Sequence, residues 1–375
     1  MKKVSVIFLC LILLCLVGTA AACTGKGALS TGKTPIQHEE KFGGVYIEIT
    51  IDDFNTLGFA FGDSVKIEFS SGFTLEDIPY YNGFYVDMGE PLLVGYPGYP
   101  YIRAGYNNGE DMYEKANLSP NDTAVITLVK KGKYLEEQNA LDIHYSDEQG
   151  DRSDVVFANF RAVNVGNLKQ NILYRSASPV DNQHKRATAA DRLAAQAGIG
   201  FIINLSDNAE ELASHIGAED FQSPYALSLY NQGKIIPLSM SMAYKSETFS
   251  QKLVQGLTAA SHADGPYLVH CVEGKDRTGF VCMVLEALAG ATYREIVDDY
   301  MITYDNYYSI NQTSEPSKYN IIKEKYIDVM LKYVTGDGNV DITTADYNRY
   351  AREYLLSIGM SVADIDALQN RLVNA

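Results

Sequence analysis

The chain is short of positive charge: 31 lysines and arginines stand against 47 aspartates and glutamates, a formal net charge of -16 over 375 residues. So acidic a surface repels a polyphosphate backbone, which excludes nucleic acid as a partner and requires any anionic substrate to be drawn by a local basic site. Cysteine is scarce as well. Of the five, Cys10 and Cys15 fall in an N-terminal apolar run, leaving Cys23, Cys271 and Cys282. Three thiols make no disulfide framework. The six histidines form no spaced cluster that would supply a metal site, and no cofactor is expected. Long apolar runs are missing apart from Val4 to Val17, which is too short to cross a bilayer.

That run belongs to a leader. Lys2 and Lys3 precede it, and the small residues of "GTAAAC" follow it, so residues 1–22 read as a secretory signal peptide. "AAAC" resembles the lipobox of bacterial lipoproteins, with Ala20 where that box prefers Leu, Val or Ile. The resemblance implies a lipidated Cys23 and anchoring to a membrane; ordinary signal peptidase cutting after Ala22 gives a secreted chain instead. The expected location is extracytoplasmic in both cases. Residues 23–42 are polar, with glycines and a proline, and read as a tether.

From residue 43 to 131 short alternating stretches such as "VYIEITI", "SVKIEFS" and "TAVITLV" are separated by Gly, Asn, Asp and Pro. Period two with frequent turns predicts a small all-β domain. "FGGVYIEIT", "GFAFGDSVKIEF", "MGEPLLVGYPGYPYIRAGYNNG" and "LSPNDTAVITL" resemble the C-terminal β-barrel domain of the S-adenosylmethionine hydroxide adenosyltransferases. In that family a nucleoside lies between the barrel and a preceding α/β domain. Residues 1–42 hold no such domain, so the resemblance implies a barrel used as a spacer or docking module, without nucleoside binding. Residues 132–155 are charged and irregular and read as a linker.

Residues 156–375 alternate strand-like segments ("ILYRSA", "GIGFIINL", "GKIIPLSM", "PYLVHC") with helical ones, the pattern of an α/β domain with a central sheet flanked by helices. Within it, Tyr267–Gly279 reads "YLVHCVEGKDRTG". A buried strand ends at His270, Gly274 turns the chain, and a helix starts near Arg277. Such a turn aims the backbone N–H groups of Val272, Glu273, Gly274 and Lys275 at one point, where the helix adds its positive end: an anion site suited to phosphate. The same field favours a thiolate at Cys271. Arg277 carries a planar fork that grips two phosphoryl oxygens, which a lysine cannot reproduce. Lys275 either raises the local potential for multiply phosphorylated ligands or is a solvated surface charge. If Cys271 were only a small buried hydrophobe, Gly274, Arg277 and Thr278 at these spacings would be coincidences. The helix that follows is apolar on nearly every side from Phe280 to Leu288 and is expected to be buried.

"HCVEGKDRTG" resembles the active-site signature of the protein tyrosine phosphatase superfamily: Cys, five residues, Arg, then Ser or Thr. Its ending is most similar to the bacterial atypical tyrosine and phosphoinositide phosphatases, and the Asp before the Arg is shared with the myotubularin lipid phosphatases. "NFRAVNVG", "LYRSASPVDN", "AADRLAAQAGIGFIINLSD" and "YLLSIGMSVADIDALQNRL" extend the resemblance over residues 156–375. It implies a cysteine-phosphatase fold and a metal-independent, dual-specificity type of phosphomonoester hydrolase acting on phosphotyrosine, inositol phosphates or phosphoinositides. Cys271 would form a phosphocysteine, Arg277 would bind phosphate and transition state, His270 would support the loop, and Thr278 would help the thiolate leave. Arg175 in "LYRSAS" matches a family position, either as a structural ion-pair partner or in touch with substrate.

Many tyrosine phosphatases draw the general acid from a Trp-Pro-Asp loop. This chain has no tryptophan, and "IIPLSMSMAYKSETF", where that loop is expected, has no aspartate. Asp207 in "NLSD" is a weak substitute, and Asp276 inside the loop is the better candidate. The reading of another class is a non-catalytic cell-surface protein whose phosphatase fold only holds a phospho-ligand; the intact Cys271, Asp276 and Arg277 speak against it.

Overall fold

A computed structural model describes residues 28–336 and 338–374; the expected leader 1–22 and Cys23 lie outside the described residues. The N-terminal part is a closed seven-stranded barrel built from β1 (Thr34–Glu39), β2 (Gly44–Ile47), β3 (Ser64–Phe69), β4 (Thr74–Tyr81), β5 (Pro91–Val94), β6 (Ile102–Tyr106) and β7 (Thr123–Lys130). Around the barrel the order is β1-β2-β6-β5-β4-β3-β7, and β7 pairs back to β1. The alternation seen in "SVKIEF" is the cause: Val65, Ile67 and Phe69 point into the barrel while Lys66 and Glu68 face outward.

Three expectations need correcting. The stretch read as a tether up to residue 42 contains β1, which pairs with β2 from Ile36↔Ile47 to Glu39↔Gly44. Its polar composition misleads because Glu39 is buried, with Oε2 accepting from Arg103 Nε at 3.1 Å. The stretch read as an irregular linker, 132–155, contains a helix, Leu135–Leu141, with Gln138, Ala140 and Leu141 buried. This helix straps the barrel to the rest of the chain. Glu137 accepts from Tyr81 Oη at 2.6 Å on the barrel side and lies 3.3 Å from Lys325 Nζ on the other. The "VYIEITI" strand is also shorter than its pattern: Thr50 caps a helix, Ile51–Thr56, by accepting from Asp53 N, and the strand stops at Ile47.

The second part carries a five-stranded sheet in the order β11-β10-β12-β9-β8, with β8 at Arg161–Ala162, β9 at Leu173–Ser176, β10 at Phe201–Asn204, β11 at Ile235–Pro237 and β12 at Tyr267–His270. β9, β12, β10 and β11 are parallel, and β8 closes one edge antiparallel. Parallel strands need both faces covered. Tyr267 and Val269 face a core shared with the helices Glu247–His262 and Asp276–Leu288, while Leu268 faces one shared with the helix Ala187–Ala197. β12 sits centrally, so the loop leaving its C-terminal end emerges where α/β sheets place their ligands.

The helix Asp276–Leu288 is buried at every position from Thr278 to Leu288. Gly279 lets it pack tightly: a Cβ there would stand 2.3 Å from the ring of Tyr300 on the neighbouring helix Tyr293–Tyr308. That close approach brings Asp299, Thr303 and Tyr307 of the neighbour against the underside of the loop.

Candidate active site

Cys271 leaves β12 buried, only 3% exposed, and the loop then runs through Val272, Glu273, Gly274 and Lys275 into the helix at Asp276. Gly274 is the residue the turn cannot replace. Its φ is +69°, and a Cβ would lie 2.2 Å from the carbonyl oxygen of Ser176.

Each loop carbonyl is held by a donor from outside the loop. Cys271 O is 3.2 Å from His270 Nδ1; Val272 O accepts from Ser178 N at 3.0 Å; Glu273 O accepts from Tyr307 Oη at 2.6 Å. Gly274 O accepts from both Asn159 Nδ2 and Arg175 Nη2 at 3.2 Å, and Arg175 Nη2 also reaches Lys275 O at 3.3 Å. With the carbonyls drawn outward, the backbone N–H groups of Val272 through Thr278 donate to no protein acceptor among the described residues. A run of free N–H groups leading into a helix N-terminus is an anion-binding arrangement.

A charged network lies beneath. Arg161 Nε and Arg175 Nη1 converge on Asp299, at 2.9 and 2.7 Å, and all three side chains are nearly buried. Burial alone would raise the Asp299 carboxyl, but the two guanidiniums outweigh it and hold it well below the usual carboxylate range. Glu286, on the loop helix, is pushed well up by burial and by the charge of Asp299. Cys282 is pushed up by burial too and is an inert core thiol. Arg175 is thus a structural partner: it spans Asp299 and the loop carbonyls from below, 1% exposed. Asn159, Arg161, Asp299 and Tyr307 were missed in the sequence, where nothing in their local pattern marks them as neighbours of a loop formed by another segment of the chain.

At the mouth, Lys275 is no free surface charge. Its Nζ donates to Tyr308 Oη at 3.2 Å and lies 3.2 Å from Glu273 Oε2 and 3.7 Å from Asp276 Oδ2. Burial acts to lower its pKa, but Asp276 and Glu273 prevail and raise it. Asp276 keeps 44% of its side chain in reach of solvent, yet the protein mass around the mouth displaces enough water to raise its pKa; Glu273 adds to this and Lys275 opposes it. The Arg277 guanidinium donates through Nη1 to Met240 O at 3.0 Å, at the rim. Thr278 is fully buried, its hydroxyl without a partner. Asp207 is placed differently: it is 5% exposed, Oδ2 accepts from Asn204 Nδ2 at 2.8 Å, and its backbone carbonyl accepts from Ser239 N. Among the described residues no group of three or more His, Cys, Asp or Glu could hold a metal ion.

His270 is fully buried, and since Cys271 O can only accept, the ring proton sits on Nδ1, leaving Nε2 without a partner. Protonating Nε2 would bury a second N–H with nothing to receive it. Burial accordingly pushes the imidazole down from 6.5 to about 4, against the opposing pull of Asp207. The sign of the linkage follows. The stabilisation is complete above the unfolded value of 6.5 and is lost as pH falls toward 4, because only the unfolded chain takes up the proton. Denaturant titrations over that window are expected to show wild type losing stability more steeply than His270→Gln, by about 1.4 kcal/mol per pH unit. Parallel slopes would assign the effect to other groups.

The family model described as "Tyrosine phosphatase family" matches residues 157–374. Among solved structures, the core catalytic domain of the PP-IP phosphatase SIW14 from S. cerevisiae, in complex with citrate, is 21% identical, with a TM-score of 0.27, over 48% of this chain and 93% of that one. An uncharacterized conserved protein from Thermotoga maritima is 21% identical with a TM-score of 0.23 over 25% of this chain, which spans only 35% of that protein's length. No curated protein matches.

Proposed function

The chain belongs to the tyrosine phosphatase family and is a phosphatase of that kind; from that premise we propose that it hydrolyses phosphomonoesters through a phosphocysteine on Cys271. The observation that carries this reading is the run of free backbone N–H groups from Val272 to Thr278, closed around the end of β12 where Cys271 stands. In the first step the Cys271 sulfur attacks phosphorus as the bond to the leaving oxygen breaks, and that oxygen takes a proton from Asp276. In the second, water attacks the phosphocysteine, gives its proton to Asp276, and displaces the thiolate with release of inorganic phosphate. The loop N–H groups and the fork of Arg277 hold the equatorial oxygens in both steps. The hydroxyl of Thr278, buried without a partner, is available to the departing sulfur.

Asp276 is supported as the acid by its exposure at the mouth and its raised pKa, whereas Asp207 is buried and occupied by Asn204. Substrates of two classes fit this chemistry: phosphotyrosine peptides, and inositol phosphates or phosphoinositides. We further propose an extracytoplasmic protein anchored through a lipid on Cys23, supported by the leader pattern of residues 1–22. No helix among the described residues is long and apolar enough to cross a membrane.

Phosphate release measured across aryl phosphate, phosphotyrosine peptides, inositol polyphosphates and phosphoinositides is expected to find activity in wild type and none in Cys271→Ser, which should still bind inorganic phosphate. A folded but wholly inactive wild type would favour the phospho-ligand-binding alternative. Asp276→Asn is expected to slow alkyl phosphates on the order of 10²- to 10⁴-fold while activated aryl phosphates lose much less, because only a poor leaving group needs the proton. Equal losses would assign Asp276 to loop structure. Expressed in a bacterium with its leader, the wild-type chain is expected in the membrane fraction and Cys23→Ala in the soluble one; the same partition for both would remove the anchor.

A further inference from the structure

A carboxylate stands in the phosphate loop, where an anionic guest has to dock. Glu273 Oε2 is buried and accepts no hydrogen bond among the described residues; what stands against it is the Lys275 ammonium at 3.2 Å. The same ammonium lies 3.7 Å from Asp276 Oδ2 and donates to Tyr308 Oη at 3.2 Å. One cation is therefore shared between two carboxylates. It sits nearer the one that has less water to fall back on, since 27% of the Glu273 side chain is exposed against 44% of Asp276.

Glu273 is itself held from outside the region that the family model matches, residues 157–374. Tyr145, in the segment between the strap helix and that region, turns its hydroxyl to the Glu273 carboxylate. Its ring is clamped on several sides. It stacks on Tyr307 at 5.0 Å, meets Tyr308 and His184 edge-on at 5.7 Å, and lies 4.7 Å from the guanidinium of Arg186. Arg186 is buried and tied to the same segment, 3.0 Å from Asp147 Oδ1 and donating to Ser146 O at 3.2 Å. Tyr307, on the far side of the stack, donates to Glu273 O at 2.6 Å. One aromatic cluster thus sets both the backbone and the side chain of Glu273.

We propose that Glu273 is a positioning residue for the general acid, and Tyr145 for Glu273: by drawing the Lys275 ammonium to itself, Glu273 leaves Asp276 able to keep the proton that the leaving oxygen takes. The proposal rests on the reading of Asp276 as that acid. An ammonium this close to an unopposed carboxylate favours its ionised form and would strip the acid of its proton. Glu273 offsets that field with a charge of its own. Burial acts to raise the Glu273 carboxyl, but Lys275, the Tyr145 hydroxyl and His184 outweigh it and hold it below the usual value. His184 in turn lies 3.0 Å from Asp147. For Asp276 burial is the main upward push and Glu273 adds to it, against Lys275 and Arg277. The other groups facing this cluster are Tyr300, Tyr304 and Tyr308 on the neighbouring helix, Tyr326 on a π-helical turn, Lys323–Asp328, and Tyr85 on the barrel. Burial raises all five hydroxyls, so they stay neutral at working pH and leave the balance to Glu273, Lys275 and Arg277.

The test titrates Asp276 directly in the full chain, by its carboxyl carbon signal in NMR, assigned through its loss in Asp276→Asn. The pH–rate profile of an alkyl phosphate is followed beside that of an activated aryl phosphate. Glu273→Gln keeps the shape of the side chain and removes its charge, so the ammonium turns to Asp276 and the acid ionises at lower pH. The Asp276 titration, and with it the descending limb of the alkyl profile, is expected to move down by about one pH unit, which costs alkyl turnover roughly tenfold above the limb and the aryl ester much less. Tyr145→Phe keeps the stack and removes only the hydroxyl; a smaller shift in the same direction is expected, and this variant carries the test alone should Glu273→Gln not fold. Combining Glu273→Gln with Asp276→Asn is expected to slow alkyl esters no further than Asp276→Asn by itself. The role of Glu273 is overturned if the Asp276 titration stays in place, or if alkyl and aryl esters lose equally with the limb unmoved, which would assign Glu273 to loop shape. If Asp276→Asn leaves alkyl turnover intact, the acid reading fails and takes the proposal with it; a slow Asp276→Asn with an unmoved titration in Glu273→Gln removes only the role of Glu273.

Discussion

The triad of Arg161, Asp299 and Arg175 is the constraint on which the rest depends. Two cations from adjacent strands meet one carboxylate from a helix, all nearly out of water, and the surplus positive charge points at the loop. A buried pair of this kind adds little net stability over well-packed apolar residues, but breaking it is expensive because it strands a charge. Its value here is positional. Arg175 can hold the carbonyls of Gly274 and Lys275 outward only because Asp299 fixes its other nitrogen, and outward carbonyls turn the amides inward. Burial and the charge of Asp299 push the Glu286 carboxyl up, which disfavours a second anion competing for the same guanidiniums.

The two parts of the molecule are coupled by the same economy of buried polar groups. Glu137 sits between Tyr81 of the barrel and Lys325 of the π turn, while Gln138 and Asn82 satisfy each other one step away. A segment that looks like a charged linker is therefore a registered joint, and the barrel's β4–β5 loop packs against the α/β part through Tyr85 and Met88.

How much was legible in the sequence follows from distance along the chain. Cys271 to Thr278 are contiguous, the turn glycine announces itself, and the apolar helix that follows can only be buried; all of this was readable locally. Asn159, Asp299 and Tyr307 reach the loop from segments that carry no signal of where they will fold. β1 was hidden because its buried Glu39 reads as solvent-facing until Arg103 is known to meet it. The strap helix was hidden for a related reason: Gln138 is buried through partners, not through apolarity. Thr50 is the opposite case, a capping residue whose meaning was local but was overridden by the alternation around it.

The shortness of the strands at the rims of the sheet has a consequence for the protein in a crowd. The barrel is closed and has no free edge, and the five-stranded sheet ends in β8, of two residues, and β11, of three, the last of them Pro237. A foreign strand needs a run of unpaired N–H and C=O groups to add onto, and a proline removes a donor from what little there is. Among the described residues the β-structure therefore offers a foreign strand no long unpaired edge to add onto.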